Sequence, residues 1–324
     1  MVEAEMLAYI EPEGESATIP FERYLPLLAP GVVKQWFGHH AKPGEWVLEP
    51  IGASPAAVLE LGETGARVLV AVNNPVTAFE ISLLARAPAK SELEAMLGEL
   101  SVQKKGGERL GSHIKNLYLS RCASCGSEVT VESFIWRKGE SVPRAKNYHC
   151  PACGDEGEHP VVDSDLERLT APERADKLHR AMALEKVPQG TRSARENLEE
   201  LLYLYSPRPL YALFTLINKV EGMSLTTAKR ALLDALLLSA LDAGHSLWPA
   251  GEGTERPRVV NIPGEYFEHN LWLSMEKAVD LWSRRKKPVP LTRWPETPKA
   301  NGICLFQGRM RDLLQQKSGV TPDS

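Results

Sequence analysis

The sequence predicts an α/β protein: part of a parallel, nucleotide-binding type of sheet, interrupted by a cysteine-bearing β module and a helical region. Three observations predict it. From Trp46 to Pro75 an apolar run, Trp46-Val47-Leu48, meets the turn Glu49-Pro50-Ile51-Gly52-Ala53-Ser54-Pro55; an Ala/Leu segment follows to Leu61, and a second apolar run, Arg67 to Val72, ends in Asn73-Asn74-Pro75. That is strand, glycine turn, helix and strand, the unit that binds nucleotides at a strand's carboxyl end. Two Cys-x-x-Cys pairs lie within residues 105–162, and beyond them apolar positions recur at helical spacing through several segments.

At 324 residues the chain is long enough for a sizeable core in two or three structural units. Apolar content of 43% and charged content of 25% are ordinary for a globular protein. Lys and Arg number 38 against 42 Asp and Glu, a net charge of −4, which excludes a global polycation. No apolar stretch approaches the roughly 20 residues needed to cross a bilayer, and the acidic amino terminus lacks the pattern of a secretory signal. The expectation is a cytoplasmic protein without a membrane partner. Five cysteines, four of them in Cys-x-x-Cys pairs, suit metal binding in a reducing compartment better than disulfides.

Taken in order, residues 1–16 are Glu-rich and aperiodic, a mobile lead-in. Residues 17–104 hold the glycine-turn segment. Ile19 to Pro30 has the prolines and large apolar residues of a docking segment, and Gly31 to His40 carries Val32, Val33, Trp36 and Phe37 at helical spacing. Lys42-Pro43-Gly44 turns into the first strand, Gly62 and Gly65 separate the helix from the second, and Pro75 can open another helix. Thr77 to Leu84 and Ser91 to Leu100 read as amphipathic helices. Residues 105–162 read as strands and turns around the cysteines. Residues 163–300 form a helical region: Leu166 to Leu184, Leu198 to Tyr205, Leu210 to Val220, Leu225 to Gly244 and Leu271 to Arg285, with a Gly/Pro-rich loop from Trp248 to Pro257. Pro288 to Lys299 reads as extended and proline-broken. Residues 301–324 bring one returning strand, Gly302 to Phe306, in which Cys304 is a small buried hydrophobe.

Cys122-Ala123-Ser124-Cys125-Gly126 and Cys150-Pro151-Ala152-Cys153-Gly154 are two knuckles of one pattern, separated by 24 residues. Four thiolates at this spacing make a closed tetrahedral Zn2+ site, structural because no position is left for water. Val129 to Val131 and Phe134 to Trp136 alternate like a hairpin, which completes a zinc ribbon. His149 and His159 are surface or outer-layer residues, since four cysteines saturate the metal. Arg137, Lys138, Arg144 and Lys146 give the ribbon cations that can touch phosphate or serve only the fold. The run Arg284-Arg285-Lys286-Lys287 is a candidate DNA contact, although such a cluster is more often a solvated helix end favoured by the dipole.

The segment Lys42 to Pro55 resembles the first S-adenosylmethionine-binding motif of amino-group DNA methyltransferases, where Lys-Pro-Gly-Asp-x-Val-Leu leads into Asp-Pro-Phe-Ala-Gly-Ser-Gly. Ile19 to Pro30 occupies the place of that family's extra cofactor motif, and Arg67 to Pro75 the place of its second strand. The cysteine knuckles, Tyr205-Ser206-Pro207-Arg208, Asn270-Leu271-Trp272 and Leu305-Phe306-Gln307-Gly308 are similar to large bacterial adenine-specific methylases that carry a zinc ribbon and helices between the second and third sheet strands. The resemblance implies a partial Rossmann-like methyltransferase sheet, S-adenosylmethionine as cofactor held by Glu49, Pro50, Gly52, Ser54 and Asn74, and DNA as partner.

The departures are specific. Val72 stands where the family has the acid that holds the cofactor ribose, and Pro55 replaces the final glycine of the turn, fixing φ and removing an N–H. The Asp/Asn/Ser-Pro-Pro-Tyr/Phe tetrapeptide that grips a flipped base is absent; no adjacent Pro-Pro occurs in the chain. The expectation is an amino-terminal part of a DNA amino-methyltransferase (adenine-N6 or cytosine-N4), incomplete for catalysis alone and completed by a second polypeptide. The alternatives are a degenerate zinc-stapled module that binds DNA or protein without chemistry, and a plain zinc-ribbon scaffold.

Overall fold

In the computed structural model, which describes residues 9–13, 19–26, 28–186, 192–251 and 260–315, the fold is mixed α/β and divides into two compact units. The first comprises Met1–Lys90 with Leu281–Ser324, the second Ser91–Asp280. Most of the expected lead-in, and part of the Trp248 to Pro257 loop, lie outside the described residues. Within the lead-in, residues 9–13 are held: the Glu13 amide donates to Pro30 at 2.9 Å and Gln35 Nε2 to the Glu11 carbonyl at 3.0 Å.

The first unit runs α1 (Val32–His40), β1 (Trp46–Glu49), α2 (Pro55–Glu63), β2 (Arg67–Val72) and α3 (Pro75–Arg86), and resumes with β10 (Leu291–Arg293), β11 (Gly302–Gln307) and α11 (Met310–Gln315). Its sheet is wholly parallel in the order β1-β2-β11-β10. Local chemistry starts the helices: Pro55 and Pro75 sit in the first turns, where a missing N–H costs nothing, and Ser54 and Asn74 cap them through the Ala57 and Val76 amides. The core joins Val58, Leu59, Val68, Val70, Ile81, Leu84, Ile303 and Cys304. At its margin Trp282 meets the rings of Phe21 and Phe79 edge-on, each 6.0 Å away, so the proline-rich segment does dock.

The sheet has four strands, one more than the three read from sequence. Leu291–Arg293 escaped notice because it spans three residues between Pro290 and Pro295, and a strand flanked by prolines survives only at a sheet edge. Its contact with β11 depends on Gly302, whose φ is +125° and where a Cβ would meet the Pro290 carbonyl oxygen at 2.5 Å. At the opposite edge lies β1, and none of its four residues is buried; Trp46 and Leu48 are 38% and 56% exposed, and Ile51 just beyond is 72% exposed. Parallel strands are ordinarily covered on both faces.

The second unit opens with α4 (Lys90–Ser101), the short hairpin β3 (Lys104–Lys105) and β4 (Glu108–Arg109), and α5 (Leu110–Asn116). It continues through β5 (Leu119–Arg121), β6 (Glu128–Arg137), β7 (Ala145–His149) and β8 (Glu156–Pro160). Then come α6 (Asp163–Glu185), α7 (Arg192–Leu202), α8 (Pro207–Glu221), α9 (Thr227–Gly244), β9 (Glu265–His269) and α10 (Leu271–Trp282). The antiparallel sheet has the order β5-β6-β7-β8, with β9 also paired to β6. Three expectations are corrected here. Val129 to Trp136 is one strand with a register shift between Val131 and Ser133, and β7 is its hairpin partner. Leu110–Asn116 is helical where strands and turns were expected, its apolar face formed by Leu110 and Ile114. Glu265–His269 is a strand contributed to the ribbon's sheet from the helical region.

Two buried ion pairs fasten helices to this sheet. Lys146 of β7 reaches Asp165 in the first turn of α6 at 3.0 Å and Ser120 of β5 at 2.6 Å, while the Val162 amide donates to the same Asp165 oxygen at 2.9 Å. Arg208 in the first turn of α8 meets Glu268 of β9 at 2.9 Å, with its guanidinium 4.1 Å from the Phe134 ring centroid and 5.5 Å from that of Tyr118. All four charged side chains are buried.

Candidate functional site

The four cysteines converge at one end of the antiparallel sheet, on the β5–β6 and β7–β8 turns, with all four Sγ atoms within 4.8 Å of one another. The two turns repeat one geometry. In the first the Gly126 amide donates to Cys122 O at 3.0 Å and the Cys122 amide to Ser127 O at 2.8 Å; in the second Gly154 donates to Cys150 O at 2.9 Å and Cys150 to Asp155 O at 2.7 Å. Gly126 and Gly154 both have positive φ, 71° and 77°. Identical knuckles thus face each other.

The donor set fits a zinc-sized ion. Zn–S bonds of ~2.3 Å in a tetrahedron place sulfurs ~3.8 Å apart, and Cys122–Cys153 and Cys125–Cys150 are separated by 3.6 and 3.7 Å. The Ser127 hydroxyl and amide pull the Cys125 thiol down to about 6. The Asp155 amide favours the Cys153 thiolate, but neighbouring sulfurs and burial outweigh it and push that thiol up to about 12. Four thiolates this close repel, and a divalent cation relieves the repulsion. The cluster can hold a metal ion such as zinc.

Sequence reasoning placed His159 at the surface or in the outer layer of this centre but missed Tyr148 and Asp155, which brace it. Tyr148 Oη donates to Asp155 Oδ2 at 2.9 Å and accepts from the Ala123 amide at 2.8 Å, so one phenol bridges the two knuckles. His159 stacks on Tyr148 with ring centroids 4.5 Å apart and its Nε2 lies 3.4 Å from Asp155 Oδ1. His149 sits outside, exposed, against Glu156. The available signal was position: Tyr148 precedes a ligand by two residues and Asp155 follows one by two. Tyr148→Phe should weaken zinc binding by about 10–100-fold in competition with a chromogenic chelator; an unaltered affinity would make the bridge incidental.

The glycine turn in the first unit brings Glu49, Gly52, Ser54 and Asn74 to the carboxyl ends of β1 and β2, with Pro50 exposed. Their polar groups, however, serve the turn itself. Glu49 Oε1 accepts from the Ile51 and Gly52 amides at 3.0 and 2.9 Å; the Ser54 and Asn74 side chains cap α2 and α3. Gly52 has φ +56°, and a Cβ there would come 2.6 Å from Val72 Cγ2 and 2.9 Å from Ala71 O. Val72 is buried against the turn.

The ribbon cations, which could touch phosphate or serve only the fold, have partners within the protein. Arg137 pairs with Glu140 and Glu265, Arg144 with Glu158 and Glu265, Lys138 donates to Asn261, and Lys146 is buried on Asp165. In the carboxy-terminal cluster Arg285 bonds Glu63 at 2.6 Å and Lys286 the Ser283 carbonyl at 2.7 Å. Among the described residues no helix is long and apolar enough to cross a membrane. No family model, curated protein or solved structure matches the chain.

Proposed function

We propose that this chain is the amino-terminal part of a DNA amino-methyltransferase-like assembly, its Rossmann-like sheet completed along β1 by a second polypeptide that carries the catalytic tetrapeptide. The observation that carries the proposal is the β1 edge. In the family that the glycine turn resembles, the first strand lies mid-sheet, between the second strand and the strand leading to the tetrapeptide. Here β1 has β2 on one side only, and its Trp46 and Leu48 side chains stand exposed. An apolar edge of that kind is a liability that proteins cover. Zinc in the four-cysteine site staples the ribbon of the second unit, and DNA is the substrate of the completed assembly.

A second reading, a module that has kept the fold and lost the chemistry, is favoured by the inward-turned hydrogen bonds of Glu49, Ser54 and Asn74 and by buried Val72, which has no acceptor for ribose hydroxyls. On either reading the chain alone should bind S-adenosylmethionine negligibly. Calorimetric titration to about 1 mM ligand should give no saturable heat, a Kd weaker than about 1 mM. A micromolar isotherm would overturn this account of the corner.

A further inference from the structure

We propose that the four-cysteine centre is a site of reversible thiol oxidation by hydrogen peroxide, entered at Cys125 and Cys153 and closed by disulfides that run across the two knuckles. The inference rests on zinc occupying the centre. Its basis is an asymmetry of exposure: the first cysteine of each knuckle, Cys122 or Cys150, is buried, and the second, Cys125 or Cys153, is exposed. One cysteine of each knuckle therefore lies at the surface and the other beneath it. Each exposed sulfur also lies beside a buried sulfur of the opposite knuckle, Cys125 at 3.7 Å from Cys150 and Cys153 at 3.6 Å from Cys122.

The chemistry balances with hydrogen peroxide as the only added reagent. The exposed thiolate attacks one peroxide oxygen; the S–O bond forms, the O–O bond breaks, and hydroxide leaves. The buried thiolate opposite then attacks the sulfenic sulfur; the S–S bond forms and a second hydroxide leaves. Two thiolates have lost two electrons in total and the peroxide has gained them. One such event leaves the metal two ligands, and a second peroxide removes those, so zinc departs.

The consequence is local. The small core at this end of the sheet is Cys122, Val129, Tyr148 and Cys150, so two of its four members are ligands. Away from it the sheet is fastened by Lys146–Asp165 and Arg208–Glu268, which oxidation does not touch. Cross-knuckle disulfides would also keep the two turns together after the metal has gone, so reduction and zinc restore the starting state.

Tryptic mapping decides the connectivity, because Arg121, Arg137, Lys138, Arg144, Lys146 and Arg168 separate the knuckles into one peptide holding Cys122 and Cys125 and another holding Cys150 and Cys153. The purified full chain is first assayed for bound zinc, then treated with a few equivalents of hydrogen peroxide beside a chromogenic zinc chelator, alkylated and digested. The expected result is stoichiometric zinc release, the two peptides linked by disulfide, and full rebinding of zinc after a phosphine reductant. Zinc retained under peroxide, peptides oxidised within themselves and not linked, or sulfinic acid that no reductant reverses would each overturn the proposal. A chain that carries no zinc before treatment would instead overturn the metal reading on which the proposal stands.

Discussion

Replacing Arg208 by methionine should lower the unfolding free energy by about 3–5 kcal/mol, because it strands the Glu268 carboxylate in the interior. Arg208 and Glu268 are both buried, 2.9 Å apart, and the guanidinium covers the Phe134 ring. Ser206 donates to the other carboxylate oxygen, so some solvation of the anion remains. The pair joins α8 to β9, and through β9 to β6. Removing both charges with Arg208→Met and Glu268→Leu should recover most of the loss, since an apolar pair of similar volume often equals a buried ion pair. Urea unfolding followed by tryptophan fluorescence measures both. A single variant within about 0.5 kcal/mol of the natural protein would show that Glu268 finds another partner.

Glu80→Gln should stabilise the protein at alkaline pH and change it little under acid conditions. Glu80 lies in α3 with its side chain buried and Oε1 without a hydrogen-bond partner, and burial pushes its carboxyl up to about 8 from an ordinary 4.5. The folded state therefore prefers the neutral acid. That preference costs nothing below the unfolded value, and stability falls as pH rises from there through about 8, where the buried group is forced to ionise. Linkage sets an upper bound of about 5 kcal/mol; relaxation and water entry reduce the expected gain for the amide to about 2–3 kcal/mol at pH 9. Thermal melts of both proteins across pH 5–9 should diverge steadily. Parallel curves would mean that Glu80 has a polar partner in solution.

The sequence was most legible where one residue type forces one geometry. Cys122, Cys125, Cys150 and Cys153 meet because two knuckles of one pattern cap paired strands at the same end of a sheet, and the strand, glycine turn and helix at Trp46 to Leu61 follow from Pro55 and Ser54 acting locally. It was least legible where a tertiary partner reverses a local preference. Glu265 to His269 does not look like a buried strand, since Glu268 faces inward; only Arg208, 60 residues away, makes that possible. The Leu291–Arg293 strand is too short to carry a pattern. The glycine turn gave a mixed result. Glu49, Gly52, Ser54 and Asn74 are gathered at the carboxyl ends of β1 and β2, yet which way their hydrogen bonds point is decided by Val72 and the caps, which spacing does not encode.

The exposed β1 edge is the feature to test. Leu48 is exposed on that edge strand, and a lysine there adds a charge beside an incoming strand without disturbing a buried site. Recovery of the tagged chain from its own cells should yield, in equimolar amount, a polypeptide bearing an Asp/Asn/Ser-Pro-Pro-Tyr/Phe tetrapeptide, and Leu48→Lys should lose that polypeptide while retaining its zinc. Recovery of the natural chain by itself, with the β1 amides exchanging hydrogen as slowly as those of β2, would contradict the proposed second polypeptide.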